Sequence, residues 1–268
     1  MASKTPLLQH PAPVAGVAEA VQTAEQALSE ARVPPRRQMA RSRRFLRIYL
    51  SVLVVAGLLF ISLGLLAHGT TTLLRFDVPI ERAVQSVQLP LYRWVLTQES
   101  DFGFAPLNIV TYAVVFVLLL AAGLRGAAAL ALVSSVLADL VGGLIKQVVG
   151  RVRPSATAVH VVGHVTGYSF PSGHVVQYTT LFGFSFYLIL VVWREGWLRT
   201  LALTILALLI VLVGPSRVYL GQHWPSDVLA AYLFAGVWLA GTIELHLFLK
   251  QHVVWWSPPR PPAPGLLH

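Results

Sequence analysis

The sequence predicts an all-α polytopic membrane protein, a bundle of six transmembrane helices with a candidate site on the extracytoplasmic face, and three observations carry that prediction. Of 268 residues, 56% are hydrophobic and only 12% charged, with a mean hydropathy of +0.68. Apolar residues in long uncharged runs are the signature of membrane spans and not of a soluble domain. Second, basic residues crowd the N-terminal end: eight of the twenty Lys and Arg lie between Lys4 and Arg47. Third, the polar residues able to do chemistry gather in short blocks at the ends of apolar runs. The chain has no cysteine, which excludes a thiol nucleophile, a thiolate metal site and a disulfide. A net charge of +9 carried largely by one end does not describe a nucleic-acid-binding domain.

A spanning helix needs about 20 mostly apolar residues, since each advances about 1.5 Å through a core about 30 Å thick. Six stretches are assigned as spans: Ile48 to Ala67, Phe102 to Leu124, Ala127 to Val149, Val175 to Trp193, and the shorter Thr200 to Pro215 and Val228 to Ile243, which need Arg199, Ser216, Leu245 and Leu247 near the interfaces to complete a crossing. The third is interrupted by Asp139 and ends beside Lys146. The cluster Arg36, Arg37, Arg41, Arg43, Arg44 and Arg47 precedes the first span, so the N-terminus is expected in the cytoplasm. That run begins too late and is too long for a cleavable signal peptide. Six crossings return the C-terminus to the same side. Seven basic residues, Arg75, Arg82, Arg93, Lys146, Arg151, Arg153 and Arg217, then fall outside, an excess that requires a reason.

Three regions follow: a basic cytoplasmic tail (1–44), a six-span membrane domain (45–250) and a Pro-rich cytoplasmic tail (251–268). Residues 15 to 32 form either a short amphipathic helix or a solvated segment, and Ser257 to Gly265 reads as disordered. Between spans one and two, Ile80, Ala83, Val84 and Val87 recur at helical spacing after Pro79. They predict a helix lying along the interface, either a plain anchor or a rim that guides an amphiphilic substrate.

The polar blocks close span three, open span four and bridge spans five and six, all on the outer side. They are Lys146 with Arg153 and Pro154; Pro171, Ser172, Gly173 and His174; and Ser216 and Arg217 with His223 and Asp227. Three cations converging there repel one another unless an anion sits among them, and phosphate suits both the planar donors of Arg and the point charge of Lys. Ser172 and Gly173 open a helix, whose unpaired N–H groups form an anion site. His223 has Asp227 four residues later; a hydrogen bond between them leaves the other ring nitrogen free as a nucleophile. His174 can then protonate a departing alkoxide.

Taken together, these residues resemble the three-part signature of the type-2 phosphatidate phosphatase and lipid phosphate phosphatase superfamily, which includes the vanadium-dependent haloperoxidases. All eleven signature positions are matched in order between Lys146 and Asp227. The resemblance implies an integral-membrane hydrolase of lipid phosphates or pyrophosphates, such as undecaprenyl pyrophosphate, phosphatidate or phosphatidylglycerophosphate. It implies phosphate binding by Lys146, Arg153, Ser172, Gly173 and Arg217, an acid in His174, and a nucleophile in His223 oriented by Asp227. It also implies no metal or other cofactor.

Other readings compete. A transporter would place polar residues at mid-depth on several spans, whereas here they gather at one face. His174, His223 and Asp227 could form a two-His, one-carboxylate metal set, though the surrounding cations would repel a divalent ion. The haloperoxidases are soluble, and a phosphotransferase would use the same site. His68, His160, His164, His246 and His252 match no block, and Asp139 is expected to make a structural hydrogen bond or to tune the site.

Overall fold

A computed structural model describes residues 35–68, 75–163 and 165–253, with side chains from Phe45 onward. The expectations for residues 15–32 and for 257–265 lie outside the described residues, as does His164. The chain divides into two units after Val52, and the site lies wholly in the second, Leu53–His268.

Among the described residues the structure is all-helical. Its helices are α1 (Pro35–Ala67), α2 (Asp77–Gln85), α3 (Pro90–Asp101), α4 (Leu107–Ala121), α5 (Arg125–Val149), α6 (Gly173–Val192), α7 (Trp197–Tyr219) and α8 (Pro225–His252). Five are long and apolar enough to cross a bilayer: Phe45–Ala67 within α1, then α5, α6, α7 and α8. The run expected as the second span differs. Its helix α4 has 15 residues and begins after Pro106, giving about 22 Å of length against a core of about 30 Å. Residues 102–106 turn instead of extending it, because a proline opens a helix readily but breaks its interior.

Helix α6 is the centre, packed against α5, α7 and α8. Its Val175, Val176, Tyr178, Leu181 and Phe182 join Ala138, Val213 and Ala231 in the largest buried cluster. Outward-facing Leu58, Val114, Leu144 and Leu208 remain exposed, as befits helices whose solvent is lipid. Because lipid tails are as apolar as leucine, close helix contact relies on small residues. A Cβ on Gly183 would stand 2.5 Å from Leu239, and one on Gly214 would stand 2.8 Å from Tyr232 and Val228.

Pro215 lies inside α7 and does not end it. Across the turn before it, Tyr232 of α8 donates its hydroxyl to the Ile210 carbonyl at 2.6 Å and accepts from the Gly214 N–H at 3.1 Å. A side chain inserted into the ladder in this way offsets what the proline disturbs. The helix therefore continues through Ser216 and Arg217.

The segment between the first two apolar runs is two helices, α2 and α3. Both pack on α7, and α2 also touches α8. Leu96 is sealed against Tyr219 and Leu220. This segment buries Asp77, Glu81, Glu99 and Ser100 at the end of the bundle where the polar blocks meet.

Candidate functional site

Helix ends position most of the site. Gly150 stops α5 in a left-handed conformation (φ 63°), its N–H returning to the Lys146 carbonyl; such a C-cap favours glycine. The chain then turns straight into Arg151 and Arg153. Gly221, also left-handed at φ 65°, makes the turn from Arg217 to His223, and a Cβ there would strike the His160 carbonyl oxygen at 2.1 Å. Pro225 opens α8, where Asp227 accepts the Trp224 N–H at 2.9 Å, an N-terminal cap made by a side chain that also serves the site.

His223 is buried. Its Nε2 lies 3.1 Å from Arg153 Nη1. A guanidinium only donates, so Nε2 is the accepting nitrogen and Nδ1 carries the hydrogen. Nδ1 faces Ser169 Oγ at 3.4 Å and Asp227 Oδ2 at 3.7 Å. Burial, followed by the charges of Arg153, Lys146 and Arg217, pushes His223 well below the ordinary imidazole range. The ring is thus neutral at pH 7.

The expected direct bond between Asp227 and His223 is longer than a hydrogen bond. Asp227 is held instead by Arg151 Nη1 and by Ser169 Oγ, both in short contacts, together with the Trp224 N–H. Ser169 reaches both the carboxylate and the ring, so it bridges the pair. Because these donors occupy the carboxylate, Asp227 is poorly placed to ligate an ion with the two histidines.

The three cations differ in how they are held. Arg153 donates to the carbonyls of Gln222 (2.6 Å) and Gly167 (3.1 Å), and burial lowers its affinity for its proton from the usual range. Lys146 donates to the Pro171 carbonyl at 2.5 Å, with Tyr168 and Ser169 carbonyls at 3.3 and 3.4 Å, tying α5 to the loop before α6. Arg217 is fully buried. Its Nη1 donates to Ser100 Oγ, while Nε and Nη2 have no partner. That unbonded edge is the guanidinium fork suited to two oxygens of a tetrahedral anion. Ser172 Oγ, at the start of α6, is likewise buried without a partner.

His174 Nε2 lies 3.2 Å from the Ser100 carbonyl. Its ring meets Phe104 edge-on at 4.4 Å, and Phe104 also lies under the Arg217 guanidinium, 5.1 Å away. The segment from Ser100, in the last turn of α3, to Phe104 therefore braces both His174 and Arg217. Glu99 on α3 is buried with both carboxylate oxygens unpartnered, and desolvation raises its pKa to about 7.

All eight candidate residues thus converge at one end of the bundle. Sequence reasoning missed their supports: Arg151, Asp77, Ser169, Glu99, Ser100 and Phe104. Arg151 is 0% exposed and bonds Asp77 Oδ2 at 2.8 Å as well as Asp227. Ser226 closes the group, donating its N–H and hydroxyl to Asp77 at 3.0 and 2.9 Å. The signal for Arg151 was present in the unexplained excess of outer positive charge. Nothing in the local pattern marked Asp77 or Ser169.

The arrangement defines a multi-pass membrane protein with a buried cationic site at one end of its helices. Its fold is shared with a transmembrane PAP2-type phosphatidylglycerolphosphate phosphatase from Bacillus subtilis, with a TM-score of 0.63 at 23% identity over 75% of this chain and 98% of that one. Residues 127–251, the segment that holds all three polar blocks, match the PAP2 superfamily. An undecaprenyl-diphosphatase of Sulfolobus acidocaldarius is 32% identical over 111 residues, covering 40% of this chain and 49% of that protein. A phosphatidylglycerophosphatase B of Haemophilus influenzae is 34% identical over 100 residues, covering 37% and 40%. The chain spans about half or less of the length of these relatives.

Proposed function

We propose that the protein is an integral-membrane phosphatase that hydrolyses a lipid phosphate or pyrophosphate through a phosphohistidine, without a metal. The observation that supports this most is Arg217, a fully buried cation with two free donors, set among Lys146, Arg153 and the opening turn of α6. Buried donors left unpaired are costly, and an anion that satisfied them would recover that cost on binding. Lys146, Arg153, Arg217, Ser172 and Gly173 hold the phosphate in this reading.

His223 Nε2 attacks phosphorus as the bond to the leaving oxygen breaks, and His174 gives that oxygen its proton. Water then attacks the phosphohistidine, surrendering a proton to His174 and releasing phosphate from Nε2. Asp227, acting with Ser169, keeps Nδ1 protonated and stabilises the charge that develops on the ring.

In the same reading α4, lengthened by its flanking turns, completes six crossings. Both termini lie in the cytoplasm, the site opens on the extracytoplasmic face, and 45–250 is the membrane domain between the tails 1–44 and 251–268. The similarity to an undecaprenyl-diphosphatase and a phosphatidylglycerophosphatase supports a lipid as the carrier of the phosphate.

The test is phosphate release by purified protein in detergent and chelator, against phosphatidate, phosphatidylglycerophosphate and a polyprenyl pyrophosphate. Turnover that persists in chelator and is inhibited by vanadate, a mimic of the five-coordinate transition state, is expected. Complete loss in chelator with recovery on adding a divalent ion would overturn the metal-free mechanism.

A further inference from the structure

Beside Lys146 and His174 lies a cavity of about 200 Å³, walled by Asp139, Gly142 and Gly143 of α5, Gly173 and Gln177 of α6, and Gly103 with Asn108 near the start of α4. Its floor is polar in a way the chemistry above does not use. Asp139 lies seven residues before Lys146, about 10 Å down the same helix face. Tyr112 donates its hydroxyl to Asp139 Oδ2 at 2.6 Å, which is the structural bond expected of an intramembrane carboxylate. Gln177 is only 4% exposed, and its Nε2 has no partner. A Cβ built on Gly142 or Gly143 meets no atom within 4 Å, so packing does not demand glycine there. The two glycines keep the space open.

We propose that this cavity is a subsite for the leaving group, selecting a phosphomonoester whose phosphate is carried by a hydroxyl-bearing polyol over one carried by a fully esterified glycerol or by a second phosphate. The inference rests on the functional reading above and assigns its substrate class. His174 lines the cavity, so the oxygen it protonates opens into it. A hydroxyl can donate to Asp139 and accept from Gln177 Nε2 at once. An ammonium group could not accept from Gln177, and Lys146 would repel it. A second phosphate would meet the Asp139 carboxylate, while an acyl ester would bring no donor. The volume is on the order of six or seven waters at about 30 Å³ each, the scale of a three-carbon polyol.

The experiment compares kcat/KM for phosphatidylglycerophosphate, phosphatidate and a polyprenyl pyrophosphate in the wild type and in Asp139→Asn, Gln177→Leu, Gly142→Val and Tyr112→Phe. The wild type is expected to prefer phosphatidylglycerophosphate at least tenfold over both others. Asp139→Asn and Gln177→Leu should each reduce that ratio about tenfold. Gly142→Val, which fills open space, should reduce it as well, while Tyr112→Phe, which removes only the structural bond, should retain it. A wild type that hydrolyses all three without preference overturns the subsite and leaves the phosphatase reading standing. Equal losses on every substrate in Asp139→Asn and Gln177→Leu also overturn it, reducing both residues to structural roles. A wild type inactive on every lipid overturns the functional reading and the subsite with it.

Discussion

Arg151 and Asp227 form a fully buried ion pair across 76 residues of sequence, and the same guanidinium bonds Asp77 on α2. Helix α2 is thereby joined to the carboxylate that faces His223. Removing one member of such a pair leaves an uncompensated buried charge, a cost of about 3–5 kcal/mol.

Arg151→Met is therefore expected to lower the melting temperature in detergent and to reduce kcat by about a hundredfold, with a smaller effect on inhibition by vanadate, since Arg151 positions Asp227 and does not hold the anion. Asp77→Asn, which keeps the shape and loses the charge, should produce a milder form of the same pattern. Wild-type kcat in Arg151→Met would show that the pair plays no part in holding Asp227 and His223.

The two histidines are separable with an aryl phosphate, whose leaving group departs without a proton. His174→Ala should still form the covalent intermediate and accumulate it, because hydrolysis needs the missing base; His223→Ala should form none. Rapid quench for an acid-labile, base-stable phosphoenzyme reads the difference, and an adduct mapped to any other residue would refute His223 as nucleophile. Because burial and three neighbouring cations hold His223 below the ordinary imidazole range, the acid limb of kcat/KM assigned to it should lie below pH 6.5. An acid limb of the wild-type kcat/KM above pH 6.5 that is retained in His174→Ala with the aryl phosphate in the covalent step would contradict the geometry.

Apolar runs located α5, α6 and α7 to within about four residues, since lipid leaves little choice but an uninterrupted helix, whereas α8 continues past the expected Ile243 to His252. The second run misled in length because hydropathy does not register that Phe102 to Pro106 turns beside His174. The three polar blocks were legible as residue types at fixed spacing along two helix ends and a short connection. Their supports were not: Asp77, Ser169 and Phe104 reach the site only through tertiary packing. The direct bond expected between Asp227 and His223 is replaced by one mediated through Ser169, because His223 lies in the turn before α8 and Asp227 in its first turn, a separation of four residues that brings the two side chains near one another without fixing their contact.

Gly103 offers a test of the loop that braces His174. A Cβ at this position would lie 2.1 Å from His174 Cδ2 and 2.5 Å from Nε2, so Gly103→Ala must displace the ring or the loop. The bond from His174 to the Ser100 carbonyl would go with it. Turnover of a lipid phosphate should fall at least tenfold, and turnover of an aryl phosphate should fall less in the covalent step, which needs no acid. Equal losses in the two would mean that the substitution damages phosphate binding instead of the acid.

Glu81 supplies the last prediction, one of stability. It is 0% exposed and both of its carboxylate oxygens lack partners. Desolvation, with repulsion from Asp77 and Asp227, raises its pKa from 4.5 to about 8. The folded state therefore keeps a proton that the unfolded state releases above about pH 4.5. Stability must fall as the pH rises from there to about 8, by roughly 1.4 kcal/mol per pH unit at the steepest, and level off beyond it. Glu81→Gln imitates the protonated form and removes the penalty. Its melting temperature should match the wild type near pH 5 and exceed it increasingly up to pH 8, as read by thermal denaturation of the detergent-solubilised protein. A difference that is constant across this range would mean that Glu81 is ionised in the fold, held by a partner in the Asp77–Arg151 group.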